Sequence, residues 1–509
     1  MSQFGTASQA FPGSAQKKIR LRSVAKGVAL AVGFAAAMFH AAAFADVAPA
    51  PGTPVAALPE HFEKRVVASG LANPHNMVLG PDGQLWVTEQ IARRVIRVDP
   101  KTGAVSVAIA IADAVHSKGS QNGLLGLALH PDFLKNKNAD YVYVSLTYAA
   151  GTPEPFPNRT LIRRYTYDAK TGTLGAPLDI LKDLPSSTDH QSARLLFGPD
   201  GKLYYSIGDQ GANQLSYLCI PNEAQTLPTE AELKAGDWRH YKGKILRLNP
   251  DGSIPNDNPV IHGVRSHVFA WGIRNTQGMT FSPGSKLFSV NHGPNSDDTL
   301  NLIVAGGNLG WPNVLGFRND LTYAYADFSR AKEACSSLKD PAQNGTDVPP
   351  DVPVQRQSEF RDPNYVAPLK TLFAADADRL KTEFNNPVCA DKHMYYICWP
   401  TIAPSSVAYY REFKNGIPGW AHSLLIASLK RGVLYHVRLD PSDSVTIGDA
   451  EPMFRSLNRY REVVVAPDGR TIYVATDTQG YGLATNDAGS AAFSFENPGA
   501  ILAFTYTGP

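Results

Sequence analysis

Five short turns of one grammar recur along the chain: Pro81-Asp82-Gly83, Pro131-Asp132-Phe133, Pro199-Asp200-Gly201, Pro283-Gly284-Ser285 and Pro467-Asp468-Gly469. Proline presets φ at the first corner of a tight turn, and Asp or Gly suits the next, so each reads as the joint of a hairpin. An apolar run precedes each turn, and a run rich in Tyr, Trp or Val follows it. Further strands then come as outer strands, in RRVIRVDP (93–100), LIRRYTYD (161–168), KILRLNPDG (244–252) and VLYHVRLDP (433–441). Units of four or so strands, repeated over about 450 residues, predict an all-β chain: a six-bladed β-propeller of four-stranded antiparallel blades. A large β-sandwich array is the alternative. The 42 Gly and 38 Pro suit so many turns, and no P-loop or dinucleotide fingerprint is present.

The first 45 residues follow other rules. Lys17, Lys18, Arg20, Arg22 and Lys26 precede an apolar run from Val28 to Phe44, and Ala43-Phe44-Ala45 fits a small-residue cleavage site. We read residues 1–45 as a signal peptide cleaved near Ala45, 46–58 as a Pro/Ala-rich linker and 59–509 as the propeller. The protein is then periplasmic or secreted, with no stable membrane span after processing; an uncleaved anchor is the other reading. Without the leader, 43 basic side chains face 46 acidic ones and no basic tract remains, which argues against nucleic acid as a partner. Export permits disulfides. Cys389 and Cys398 are close enough for a local loop, whereas Cys219 and Cys335 either pair or stay free.

Aligned on the turn proline, the chemistry-bearing residues fall together. Gln121-Asn122, Asp189-His190, Arg274-Asn275 and the pair Arg459 and Arg461 all lie six to ten residues before a turn. Equivalent positions on successive blades surround one axis, so an acid, a base, three arginines and amides should meet at one end of the channel. His190 and Asp209 lie nine before and eight after the third turn, so both sit at the open end of one hairpin. A carboxylate beside an imidazole fixes its tautomer and stabilises the protonated ring, as a general base requires. Gly293-Pro294, near Asp297 and Asp298, offers carbonyls that suit a hard cation such as calcium. Lys430 and the aromatic run Tyr396 to Trp399 add a cation and a stacking platform, which together with the arginines suit a flat polyanion. The strand rhythm is lost over 215–241 and 317–393, excursions long enough to wall the channel mouth.

Taken together, QNGLLGLALHPDF (121–133), LPSSTDHQSARL (184–195), YSIGDQGANQ (205–214), GIRNTQG (272–278), GPNSDD (293–298), GGNLGWPNV (306–314), YICWPTIAPSS (396–406), SLKRGV (428–433) and NRYREV (458–463) closely resemble one family. It is that of the soluble pyrroloquinoline-quinone (PQQ) glucose dehydrogenases, the glucose/sorbosone dehydrogenase family. The resemblance runs from Leu71 to Tyr506 and implies the same propeller. It implies oxidation of an aldose such as glucose to the lactone, with His190 as the base that assists hydride transfer to PQQ and Asp209 as its support. Arg274 would polarise the quinone carbonyls beside Asn275. Lys430, Arg459 and Arg461 would neutralise the PQQ carboxylates, and the carbonyls of Gly293 and Pro294 would bind calcium. Gln121, Asp189, Gln214, Tyr396 and Trp399 would line the sugar pocket. Electrons would pass to an external acceptor, a soluble cytochrome or quinone-like mediator, because the chain has no haem-attachment or iron–sulfur pattern.

The chain departs from the family in places. Asn291-His292 stands where Glu-Gln is usual, and Thr276 where Pro is usual. Thr299, Leu309, Asn319 and Gln357 replace the acid, tyrosine, acid and acid of a second calcium pair, leaving Asp298. The structural calcium pair should therefore be weakened or lost, and homodimerisation with it. The Cys389–Cys398 loop is two residues longer than its counterpart. A calcium-dependent lactonase and a non-catalytic carbohydrate-binding propeller are the rival functions; the first does not explain the arginines, and the second does not explain why base, arginines and lysine are all kept.

Overall fold

Hairpins joined end to end bury their two faces only if successive sheets stack. The computed structural model shows them doing so around an axis. It describes residues 58–153, 155–340, 347–385, 398–430, 432–480 and 495–509. The leader (1–45), nearly all of the linker, Cys389, Tyr396 and Arg431 lie outside the described residues.

Six sheets form. Blade 1 comprises Pro74–Leu79, Leu85–Glu89, Arg94–Val98 and Val105–Ala110. Blade 2 comprises Leu124–Leu129, Tyr141–Ala149, Asn158–Asp168 and Thr173–Leu184. Blade 3 comprises Ser192–Phe197, Leu203–Ile207, Lys244–Leu248 and Val268–Trp271, with the short parallel strand Gly307–Asn308 added outside. Blade 4 is built from Thr276–Phe281, Leu287–Asn291, Asp298–Ile303 and Lys370–Leu372, and blade 5 from Pro404–Tyr410, Ser423–Ser428, Leu434–Leu439 and Thr446–Met453. Blade 6 takes Tyr460–Val465, Thr471–Thr476 and Ile501–Tyr506, and its outermost strand is Phe62–Ala68 from the start of the domain. Phe62 pairs with Tyr506 and Val66 with Leu502, so the ring is closed by antiparallel hydrogen bonds between its two chain ends.

Two details differ from the sequence reading. The segments read as outer strands are third strands; a fourth covers each. Blade 5 lacks the proline turn, and residues 411–422 join its first two strands instead.

The core is divided among the blade interfaces. Separate buried clusters lie between blades 1 and 2 (Trp86, Phe133, Val144), 2 and 3 (Tyr143, Leu195, Tyr205) and 3 and 4 (Tyr204, Met279, Leu287). Others lie between blades 4 and 5 (Phe288, Leu424, Tyr435), 5 and 6 (Tyr410, Tyr460, Phe504) and 6 and 1 (Val87, Ile96, Leu502, Ala503). On the axis the innermost strands are joined by polar contacts. The fully buried Glu462 of blade 6 accepts from Asn76 of blade 1 at 2.8 Å and from Arg194 of blade 3 and Ser406 of blade 5. A buried carboxylate needs such donors, because unpaired it would cost several kcal/mol. Among the described residues, no helix is long and apolar enough to cross a membrane.

Candidate active site

The third proline turn sets the site. Phe197 pairs with Leu203 and Leu195 with Tyr205, and the register then slips before Ser192 meets Ile207. At that slip His190, Ser192 and Ala193 all take positive φ (43°, 57° and 67°), unusual for side-chain-bearing residues and typical of functional strand ends. Gly208 makes the close approach possible: a Cβ there would meet the His190 carbonyl at 1.9 Å.

His190 is 5% exposed and Asp209 is fully buried; Nδ1 lies 2.6 Å from Asp209 Oδ1. The carboxylate only accepts, so Nδ1 carries the proton and Nε2 keeps its lone pair. Asp189 Oδ1 is 3.8 Å from Nε2. Asp209 is held in turn by the Trp311 indole at 2.7 Å, Asn222 Nδ2 at 3.0 Å and the Gly211 N–H at 2.9 Å. Burial alone would push its carboxyl up; the His190 imidazole, Arg274 and the Gly211 N–H outweigh that and hold it below the usual carboxylate range.

A cavity of about 630 Å³ opens at this end of the axis. Gln121, Asp189, His190, Arg274, Asn275, Gly293, Pro294, Trp399, Arg459 and Arg461 line it, so residues chosen on four repeats and two loops do meet. Gln121 donates to Asp189 and accepts from Asn275 Nδ2 at 3.3 Å. Arg274 Nη1 donates to the Gly293 carbonyl at 3.2 Å, and its guanidinium carbon lies 5.5 Å from the Trp311 ring. Burial lowers its pKa, opposed by Asp209 and Asp189.

Two expected residues sit behind the wall rather than on it. Gln214 accepts from Arg274 Nη2 at 2.6 Å, and its amide nitrogen lies against the His190 ring, 3.4 Å from Nε2, the nitrogen that keeps its lone pair. Lys430 is buried, with its ammonium on the Trp399 carbonyl and the Thr401 hydroxyl.

Other residues of the site had not been singled out. Asp477, 2% exposed, accepts from Arg459 Nε at 3.1 Å and from Arg461 Nε and Nη2 at 2.8 and 2.9 Å. Burial pushes its carboxyl up, but the two guanidinium groups more than reverse this and hold it low. Arg461 Nη1 also donates to Gln277 at 2.7 Å. His75 lies near this pair, and burial first, then the Arg461 charge, pulls its imidazole down to about 3. Asn73, Gln90 and His292 complete much of the remaining wall. Asn222 and Trp311, both partners of Asp209, come from the irregular excursions or just before them. Only the quoted GGNLGWPNV segment pointed to Trp311.

Could the residues present hold the implied groups? The cavity has room for a flat tricyclic acid, two arginines at one end for carboxylates and a third beside the base. Gly293 and Pro294 line the same space, the Gly293 carbonyl beside Arg274, and a Cβ on Gly293 would meet the Ser296 carbonyl at 1.8 Å, so this turn needs glycine. Asp298 supports it: its carboxylate accepts from the N–H groups of Gly293, Ile402 and Ala403 at 2.8, 2.6 and 2.8 Å. Both groups fit. The excursions are stapled by a disulfide between Cys219 and Cys335, which settles the pairing that the sequence left open. Cys398 is also disulfide-bonded.

Comparison with known proteins agrees. Residues 71–347 and 379–484 match the family described as Glucose / Sorbosone dehydrogenase. Quinoprotein glucose dehydrogenase B of Acinetobacter calcoaceticus is 50% identical over 466 residues, covering 91% of this chain and 95% of that protein. Aldose sugar dehydrogenase YliI of Escherichia coli K12 is 31% identical over 211 residues, 39% of this chain and 50% of that one. The solved PQQ-bound aldose sugar dehydrogenase of Streptomyces coelicolor superimposes with a TM-score of 0.58 at 23% identity, covering 88% of this chain and 99% of that one, a likeness of fold. With the family matched over most of the chain and half of the aligned residues shared with a near full-length relative, the chain belongs to the glucose/sorbosone dehydrogenase family.

Proposed function

We propose that this protein is a calcium- and PQQ-dependent aldose dehydrogenase that oxidises the anomeric carbon of glucose-like sugars to the lactone and passes the electrons to an external acceptor. The observation that carries the reading is a base of fixed tautomer, His190 on buried Asp209, in one cavity with Arg274, Arg459 and Arg461.

In this reading His190 Nε2 takes the proton of the anomeric hydroxyl. Asp209 and Asp189 stabilise the resulting imidazolium, and removal of the proton drives electrons from oxygen toward the carbon. Asp189 and Gln121 hold the sugar hydroxyls near the base, while Trp399 flanks the ring. Arg459 and Arg461, kept in place by Asp477, bind the cofactor carboxylates, with Lys430 behind Trp399 and Thr401 adding positive charge. Arg274 faces the region where negative charge accumulates, which is where a preorganised donor contributes most. Gly293 and Pro294 hold the calcium through their carbonyls. PQQ, when bound, supplies the two-electron sink that no side chain here provides.

We also propose export, with cleavage near Ala45, and loss of the second calcium pair. For the latter, Leu309 is buried, Gln357 uses its side-chain oxygen to accept from the Leu315 N–H at 2.8 Å, and Asn319 caps the Leu321 N–H at 3.1 Å. A lactonase would hold its metal with side chains, and among the described residues no group of three or more His, Cys, Asp or Glu is arranged to do so.

The test is dye reduction by the metal-stripped protein with glucose, before and after PQQ and calcium are added together. Activity that requires both is expected. No activity and no PQQ binding would overturn the reading.

A further inference from the structure

The pair Asn291-His292 departs from the family just before the two carbonyls assigned to calcium, and the structure shows what each side chain does. Asn291 is committed: its Oδ1 accepts from the Asn275 N–H at 2.7 Å. His292 lines the cavity, and its Nε2 lies 2.9 Å from the Pro404 carbonyl. A carbonyl only accepts, so Nε2 carries the hydrogen and Nδ1 the lone pair. Among the described residues, no group donates to Nδ1. The backbone on either side is pinned, with the His292 N–H on the Asn275 carbonyl at 3.2 Å and Arg274 Nη1 on the Gly293 carbonyl at 3.2 Å. A neutral imidazole with an uncommitted lone pair is thus fixed next in sequence to Gly293 and Pro294.

We propose that His292 Nδ1 joins the Gly293 and Pro294 carbonyls as a ligand, making the cation seat of this chain a mixed nitrogen–oxygen one. This inference rests on the metal seat of the proposed function. Calcium takes oxygen and gains little from imidazole, whereas cobalt(II), nickel(II) and zinc(II) favour it. The seat therefore accepts such intermediate divalent ions as well as calcium, and His292 sets that breadth. The substitution His292→Gln isolates the effect. A glutamine amide can still donate to the Pro404 carbonyl, but it offers oxygen or N–H in place of a nitrogen lone pair.

The experiment uses metal-stripped protein with stoichiometric PQQ, titrated separately with cobalt(II) and calcium. Visible cobalt absorption, PQQ absorption and calorimetry are the readouts. We expect His292→Gln to weaken cobalt binding about tenfold or more and alter the cobalt bands, with calcium affinity held within about threefold. Equal cobalt affinity and identical bands in the two proteins would overturn the role of His292 and leave the calcium seat standing. Failure of cobalt(II) to bind wild-type protein that does bind calcium would overturn this inference alone; failure of calcium to bind would overturn the seat itself, and this inference with it.

Discussion

At the level of single residues, the site is one imidazole, His190, held by one buried carboxylate, Asp209. His190→Gln should retain PQQ, seen by its absorption, while turnover falls by about 10²–10⁴, the usual worth of a positioned general base. Unchanged turnover would remove His190 from the reaction. Asp477 tests the cofactor end. Its carboxyl, held low between Arg459 and Arg461, binds its proton less tightly folded than unfolded, where the pKa is about 3.9. The stability it contributes is thus full above that value and lost as pH falls through the folded value. Thermal unfolding between pH 6 and pH 2 should show a steeper acid loss in wild type than in Asp477→Asn. Parallel curves would place the linkage elsewhere. His190 and Asp209 were legible in the sequence because one short hairpin brings them together. Asp477 was not, since it lies on a different strand end from the arginines and only the pairing of Tyr460 with Thr476 sets it beside them.

Among elements, the irregular excursions were legible only as interruptions. Their contribution to the site is the clamp on Asp209: Asn222 comes from the first, and Trp311 lies just before the second. The Cys219–Cys335 bridge closes a loop of 116 residues between them. Chain entropy puts such a bridge at about 4–5 kcal/mol, an upper figure where native contacts already restrain the loop. The double variant Cys219→Ser/Cys335→Ser should lower Tm by several degrees in calorimetry and raise KM for the sugar more than it lowers kcat, since Leu215, on the cavity wall, sits just before Cys219. An unchanged Tm and KM would show that packing alone orders the excursions.

For the molecule as a whole, closure of the ring is the decisive contact. Phe62–Ala68 completes blade 6, and Phe62 packs against Trp420, Phe454 and Tyr506. Starting the chain after Ala68 should expose the edge of Ile501–Tyr506 and lower Tm sharply, with loss of reversibility, because an unpaired edge invites aggregation. Glu462→Ala at the axis should cost about 3–5 kcal/mol in denaturant unfolding, because Arg194 would keep a buried charge without its partner. The proline turns, the strands around them and the alignment of Gln121, His190, Arg274 and Arg461 were determined by local sequence, since turn geometry and strand alternation act over a few residues. Tertiary structure alone decided which chain end supplies the last strand, that the Arg-rich strands lie third rather than outermost, and that Gln214 and Lys430 stand behind the cavity wall. These depend on contacts between blades far apart in sequence. A strand carries a signal for which of its faces is apolar, and none for which neighbour will cover it.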